Sequence, residues 1–174
     1  VVRIAYSCGL YSLSGSVPPH IKTISIPMVE NETAEFGIAE SISDGIQSRF
    51  NDEGILKVID DNADSILRGT VKKVTYGRYT YNKNESVSEY RYKIDVKIEW
   101  YDNKNEKTLL KGNYSGWGAY GLSGDISSDG IDNDNDGKID SEDDNEFGEQ
   151  RLFASKVAVQ KIAEDIINDI MTTW

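Results

Sequence analysis

This chain of 174 residues holds one cysteine, one histidine, three prolines and two methionines. Cys8 alone cannot close an internal disulfide, which excludes a disulfide scaffold. A single His, with no nucleophile standing beside a base, leaves no catalytic constellation to defend, so an enzyme ranks last among the readings. No run approaches the ~20 apolar residues that a membrane-spanning helix requires. Basic residues are outnumbered 19 to 30, for a net charge of −11, where nucleic acid would demand a basic face. No nucleic-acid partner is therefore expected.

The negative charge is not spread along the chain. From Asp125 to Glu149 there are eleven Asp or Glu against one Lys, so this stretch carries −10 of the −11. The rest is nearly balanced. Within the stretch, Asp132, Asp134 and Asp136 fall at positions 1, 3 and 5 of a loop, Gly137 at 6, Asp140 at 9 and Asp143 at 12. A hard cation takes six to eight oxygens, and alternate carboxylates on a tightly turning backbone supply them. Gly at position 6 permits the turn, after which the carbonyl of Lys138 points inward. The expected ion is Ca2+, held by Asp132, Asp134, Asp136, Lys138, Asp140 and Asp143. The loop resembles the aspartate-rich repeats of the thrombospondin type 3 family, which end in Asp at position 12. A helix-flanked EF-hand is disfavoured because Tyr114–Gly124 contains four glycines. Two Met supply no Met-rich groove, so the expected role is structural and not sensory.

Periodicity places the elements. Ile21–Ile26 reads as a first strand closed by Pro27, which cannot donate to a ladder. Asn31-Glu-Thr is expected to open a helix whose apolar residues Ile38, Ile42, Ile46 and Phe50 recur every four, with Gly54 as the stop. Leu56–Ile59 is a short strand or a lead-in. Ser65–Tyr81 is a long strand whose phase slips twice, near Lys72-Lys73 and Gly77, as bulges would cause. The next strand alternates strictly: Tyr90, Tyr92, Ile94, Val96, Ile98 and Trp100 on one face, charged residues on the other. Thr108–Trp117 returns as a fourth strand, and Glu149–Trp174 is a second helix with Val159, Ile162, Ala163, Ile166, Ile170 and Trp174 on its buried side. The fold class is α+β: a two-layer domain, a four-stranded sheet with two helices on one face and an acidic calcium-binding loop inserted. At this length about 70% of the unfolded surface is buried, enough for one core. His20, beside Pro19, reads as a surface residue.

Ile4-Ala5-Tyr6-Ser7-Cys8-Gly9 resembles the end of a bacterial lipoprotein signal peptide, with Cys8 as the lipidated residue. Ser12–Pro19 then forms a tether, so the organisation is 1–19 for signal remnant, lipidated Cys and tether, and 20–174 for the domain, with 122–148 as the insertion. Cys8-Gly-Leu-Tyr-Ser-Leu-Ser-Gly, followed by Val-Pro-Pro-His-Ile-Lys-Thr-Ile-Ser-Ile-Pro, resembles the opening of the LPS-assembly lipoprotein (LptE) family. Asn31-Glu-Thr, Ala63-Asp-Ser-Ile-Leu-Arg-Gly-Thr-Val, the hairpin and the closing helix follow in that family's order. The resemblance implies a non-enzymatic lipoprotein, lipid-anchored on the periplasmic face of the outer membrane. There it would plug an LptD-type β-barrel and support lipopolysaccharide transport. Candidate lipopolysaccharide contacts are Lys72, Lys73, Arg78, Arg91 and Lys93, which could offer cations to lipid phosphates. An ordinary wet sheet face is the competing reading of those five. Two other functions stay open: a lipoprotein binding module for a peptidoglycan synthase or secretion pore, which Ile24–Thr33 also resembles, and a calcium-stabilised surface domain.

Overall fold

The computed structural model describes residues 17–81, 87–121, 137–138, 142 and 149–172. Its elements in chain order are β1 (Thr23–Ser25), β2 (Glu30–Asn31), α1 (Ile38–Glu53), β3 (Lys57–Val58), β4 (Ser65–Tyr81), β5 (Val87–Asp102), β6 (Lys107–Gly121) and α2 (Gln150–Thr172).

The strict alternation of β5 sets the layers. Tyr92, Ile94, Val96, Ile98 and Trp100 are buried, in one cluster with Ile42, Ile46 and Phe50 of α1 and Ile162, Ile166 and Ile170 of α2. Both helices therefore pack on the same face, as expected. Each such side chain contributes about 1.5–3 kcal/mol by leaving water. β4, β5 and β6 form an antiparallel meander, with β4 shifting register between Val71 and Lys73 and again around Arg78–Tyr81. The first shift falls where the phase of the sequence slips; the second lies just beyond Gly77.

The sheet has six strands, not four. Pro27 does not simply end the first strand; it divides it. β1 and β2 both run parallel to β4, pairing at Ser65–Ile66 and at Thr70–Val71. The backbone left unpaired between them is satisfied by α1: Gln47 Nε2 donates to the Ile26 carbonyl at 2.9 Å, and Ser43 Oγ accepts from the Val29 N–H at 2.9 Å. β3 adds the last strand, parallel to β1. Helix α1 also begins later than Asn31. The Asn31 side chain accepts from the Thr33 N–H and hydroxyl at 2.9 and 2.7 Å, closing a turn instead of capping a helix. Gly37, in the left-handed region at φ 74°, then redirects the chain into α1.

Helix α2 lies against β6 closely enough to dictate its residues. A Cβ on Gly116 would stand 1.9 Å from the Ala158 carbonyl oxygen, and one on Gly118 would stand 2.4 Å from that of Ala154. Two glycines on the strand and two alanines on the helix are what let the backbones meet.

Candidate ligand-binding face

Because β1 and β2 pair with β4 only as far as Val71, the distal halves of β4 and β5 extend as a hairpin beyond them. The face opposite the helices carries Arg91, Lys93 and Asp95 of β5, Lys73 and Thr75 of β4, and Ser115 and Trp117 of β6 in register. Its centre is Arg91. The guanidinium carbon lies 3.9 Å from the ring centroid of Tyr79 and 4.2 Å from that of Trp117. The two rings stand 5.6 Å apart, inclined at 53°. Arg91 Nε is buried without a hydrogen-bond partner. A cation against an aromatic face gains about 0.5–1 kcal/mol when exposed and about 2 when desolvated. Both rings keep outer surface free, with Tyr79 40% and Trp117 43% exposed.

The other expected contacts divide. Lys93 Nζ lies 2.8 Å from Asp95 Oδ1, and the Ser115 hydroxyl donates to the same oxygen. Burial pulls the Asp95 carboxyl upward, but the Lys93 and Ser115 hydrogen bonds and the Lys93 and Lys73 charges hold it below the usual range. Lys72, at the first bulge, is ion-paired with Glu32. Arg78 is in register with Tyr90 and so belongs to the helix side, though it borders the same cavity as Arg91. Arg91, Lys93 and Lys73 thus share a face in register, Arg78 does not, and Lys72 is taken up by Glu32. That cavity, about 230 Å³, is bordered by Thr75, Tyr76, Gly77, Arg78, Tyr79, Arg91 and Lys93.

On the helix side, α2 contributes Arg151, which the sequence reading passed over. Its guanidinium meets both Glu35 oxygens at 2.8 and 2.9 Å and lies 4.8 Å from the Tyr76 ring centroid. The alternation that placed the tyrosines contained no signal for an Arg sixty residues further on. At the opposite end of the sheet, His20 is no idle surface residue. Its Nε2 lies 2.7 Å from Oδ2 of Asp102, a carboxylate only 1% exposed. Burial would raise the Asp102 carboxyl; donors from Asn105, His20 and Lys104 overcome it and hold the group low.

The aspartates Asp132, Asp134, Asp136, Asp140 and Asp143, and Cys8, lie outside the described residues. Of the loop, Gly137 has φ 94° and Lys138 is exposed. Among the described residues no three His, Cys, Asp or Glu are grouped to hold a metal, and no helix is long and apolar enough to cross a membrane.

A family model for LptE, lipopolysaccharide-assembly, matches residues 21–174. The chain belongs to the LptE family. That match takes in every strand and helix described above and makes this a lipopolysaccharide-assembly protein. Among solved structures, the LptE-family chain is similar in fold to rare lipoprotein B from Shewanella oneidensis, with 12% identity, TM-score 0.50, and 87% of this chain and 96% of that one covered. It is similar to a minor lipoprotein from Acinetobacter baumannii at 14% identity and TM-score 0.50, covering 88% and 92%. The protein CT253 from Chlamydia trachomatis gives 10% identity and TM-score 0.54, covering 87% and 96%. No curated protein matches the chain.

Proposed function

We propose that the chain is an outer-membrane lipoprotein, anchored through Cys8 on the periplasmic face, that seats as a plug in an LptD-type β-barrel. In that position it supports the passage of lipopolysaccharide and makes or breaks no bond. The observation that carries this reading is the LptE match across residues 21–174. The polarity of the sheet is consistent with it. His20 lies beside Asp102, at the end of the sheet where β4 begins, while the β4–β5 turn lies at the other end. β4 has 17 residues, so the two ends are about 50 Å apart at ~3.3 Å per residue. That exceeds the ~30 Å hydrocarbon core of a bilayer, and a molecule held at one leaflet by its first end would reach the far leaflet with its second.

Arg91, Lys93 and Lys73 are the proposed lipopolysaccharide contacts, Arg91 foremost because its fork suits a phosphate. The 122–148 insertion is proposed to bind Ca2+ through Asp132, Asp134, Asp136, the Lys138 carbonyl, Asp140 and Asp143; the left-handed Gly137 suits the turn this needs. The deciding experiment is to tag the C-terminus, solubilise outer membranes in mild detergent and identify what co-purifies by mass. One large β-barrel in roughly equal amount is expected. A peptidoglycan synthase, or a ring of the chain itself, would overturn the plug reading in favour of a binding module.

A further inference from the structure

The interruption at Pro27 leaves a cavity between β1 and β2, away from the β4–β5 turn. Ser25 pairs with Ile66 and Glu30 with Thr70, so four residues, 26–29, stand against three, 67–69. The surplus residue lifts the chain off β4, and α1 takes its backbone groups through Gln47 and Ser43. The Glu32 N–H donates to the Val71 carbonyl at 3.1 Å, so Val71 turns its backbone groups toward this edge of β4. Gly69, two residues earlier, does the same by strand alternation. Its N–H therefore points into the break, where no strand among the described residues pairs with it. The cavity there, about 330 Å³, falls within the ~300–1,000 Å³ of small-molecule sites. Gly69 borders it, and Pro27 and the 63% exposed Met28 add apolar surface. Two cations, Arg68 and Lys97, and two carboxylates, Glu30 and Glu99, complete the wall. Neither cation, nor Glu30, has an ion-pair partner among the described residues. Arg68 only overlooks the Tyr101 ring, at 5.9 Å. Because the two signs balance, a dianion such as phosphate would meet as much repulsion as attraction. The end of a peptide would not. Its carboxylate is a monoanion for the cations and the Gly69 N–H, and its amide N–H groups are donors for the carboxylates.

We propose that the break between β1 and β2 is a binding site for the C-terminal carboxylate of a protein partner. Capture of a terminal carboxylate by backbone donors is a recurrent mode of peptide recognition. Arg68 grips the carboxylate with its fork, Lys97 adds a second charge, and the Gly69 N–H fixes one oxygen. Glu30 accepts from the last peptide N–H, while Met28 and Pro27 pack against the final side chain. The site owes nothing to the plug reading, since it is assembled from this chain's own strand break.

The test is titration of the full chain, carrying Cys8→Ala, with N-acetyl trialanine, its C-terminal amide and inorganic phosphate in separate series. The readout is the Gly69 amide signal in assigned 1H–15N spectra. The free acid is expected to move this signal with a midpoint about tenfold or more below those of the amide and of phosphate, the worth of one charge-assisted hydrogen bond. Arg68→Gln should raise the midpoint for the acid by a similar factor, and Lys97→Gln should raise it less, with the rest of the spectrum unchanged. Arg91→Gln, outside this cavity, should leave the midpoint where it was. Equal midpoints for the acid and its amide would overturn the proposal, as would phosphate binding as tightly as the acid. So would an unmoved Gly69 signal, or a midpoint that neither Arg68→Gln nor Lys97→Gln changes. No membrane or barrel enters the titration. Its failure therefore leaves a co-purified barrel standing, and absence of a barrel leaves a positive titration standing.

Discussion

Asp102 shows how much a single carboxylate can organise when its donors surround it. Lys104 and Asn105 donate backbone N–H groups to Oδ1 at 2.9 and 3.1 Å; the Asn105 amide donates to Oδ2 at 2.9 Å, and His20 shares that oxygen. Removing an acceptor from buried donors costs about 1–3 kcal/mol, so Asp102→Ala should lose that much in urea unfolding at pH 7. The sign with pH follows from the depressed carboxyl. Its stabilisation is complete above the unfolded value of about 3.9 and is lost as pH falls through the folded one. The gap between the two chains should therefore narrow below about pH 4. Asp64, also held low, by the N–H groups of Lys22 and Thr23 and the Thr23 hydroxyl, destabilises both chains in that window and cancels in the difference. A gap constant down to pH 2 would show that the ionisation of Asp102 contributes nothing. None of this was legible in the sequence. Asp102 sat in a polar turn of Asn, Lys and Glu that reads as solvent-exposed, and its partner His20 is 82 positions away.

At the scale of elements the sequence reading succeeded where one physical signal dominated. β4 ends where expected at Ser65 and Tyr81, and β5 alternates without a break, because a period of two with one dry face admits few other readings. It failed where two readings shared one signal. Asn-Glu-Thr serves an Asx turn as well as a helix cap, and Pro27 interrupts a strand as well as ending it, so β2 was missed and α1 was started early. The glycines of β6 carried a message that was only half read. They excluded a helix, but their alternation, matched by Ala154 and Ala158, also encodes the seat of α2. Gly116→Ala should therefore force the layers apart, at a cost of about 1–3 kcal/mol for overpacking. For a chain this long, 1 kcal/mol lowers Tm by roughly 2–4 °C. Gly77→Ala, in open space, is the control and should leave Tm in place or raise it slightly. If both variants melt with the parent, α2 is not seated on β6.

Over the whole molecule, charge is partitioned. Residues 72–93 hold six Lys or Arg against two Glu, a net +4, while Asp125–Glu149 holds −10. Gly121, the last described residue before the acidic stretch, is in register with Glu89 near the β4–β5 turn. Ten uncompensated charges in one stretch repel one another, and a bound divalent cation relieves that repulsion by gathering the carboxylates around itself. Among the described residues the core cluster is built from the strands, the two helices and the segments that join them. Calcium should accordingly order the insertion without governing the body. In limited proteolysis, cleavage within 122–148 is expected to be slow in millimolar calcium and rapid after chelation, with Tm of the domain unchanged between the two. Asp134→Ala combined with Asp136→Ala removes two of the proposed ligands; that chain should be cut rapidly in both conditions and keep the parent near-UV circular dichroism. Equal cleavage of the parent with and without calcium would remove the ion from the account. A collapsed near-UV spectrum in the double variant would mean instead that the insertion is part of the fold, not an addition to it.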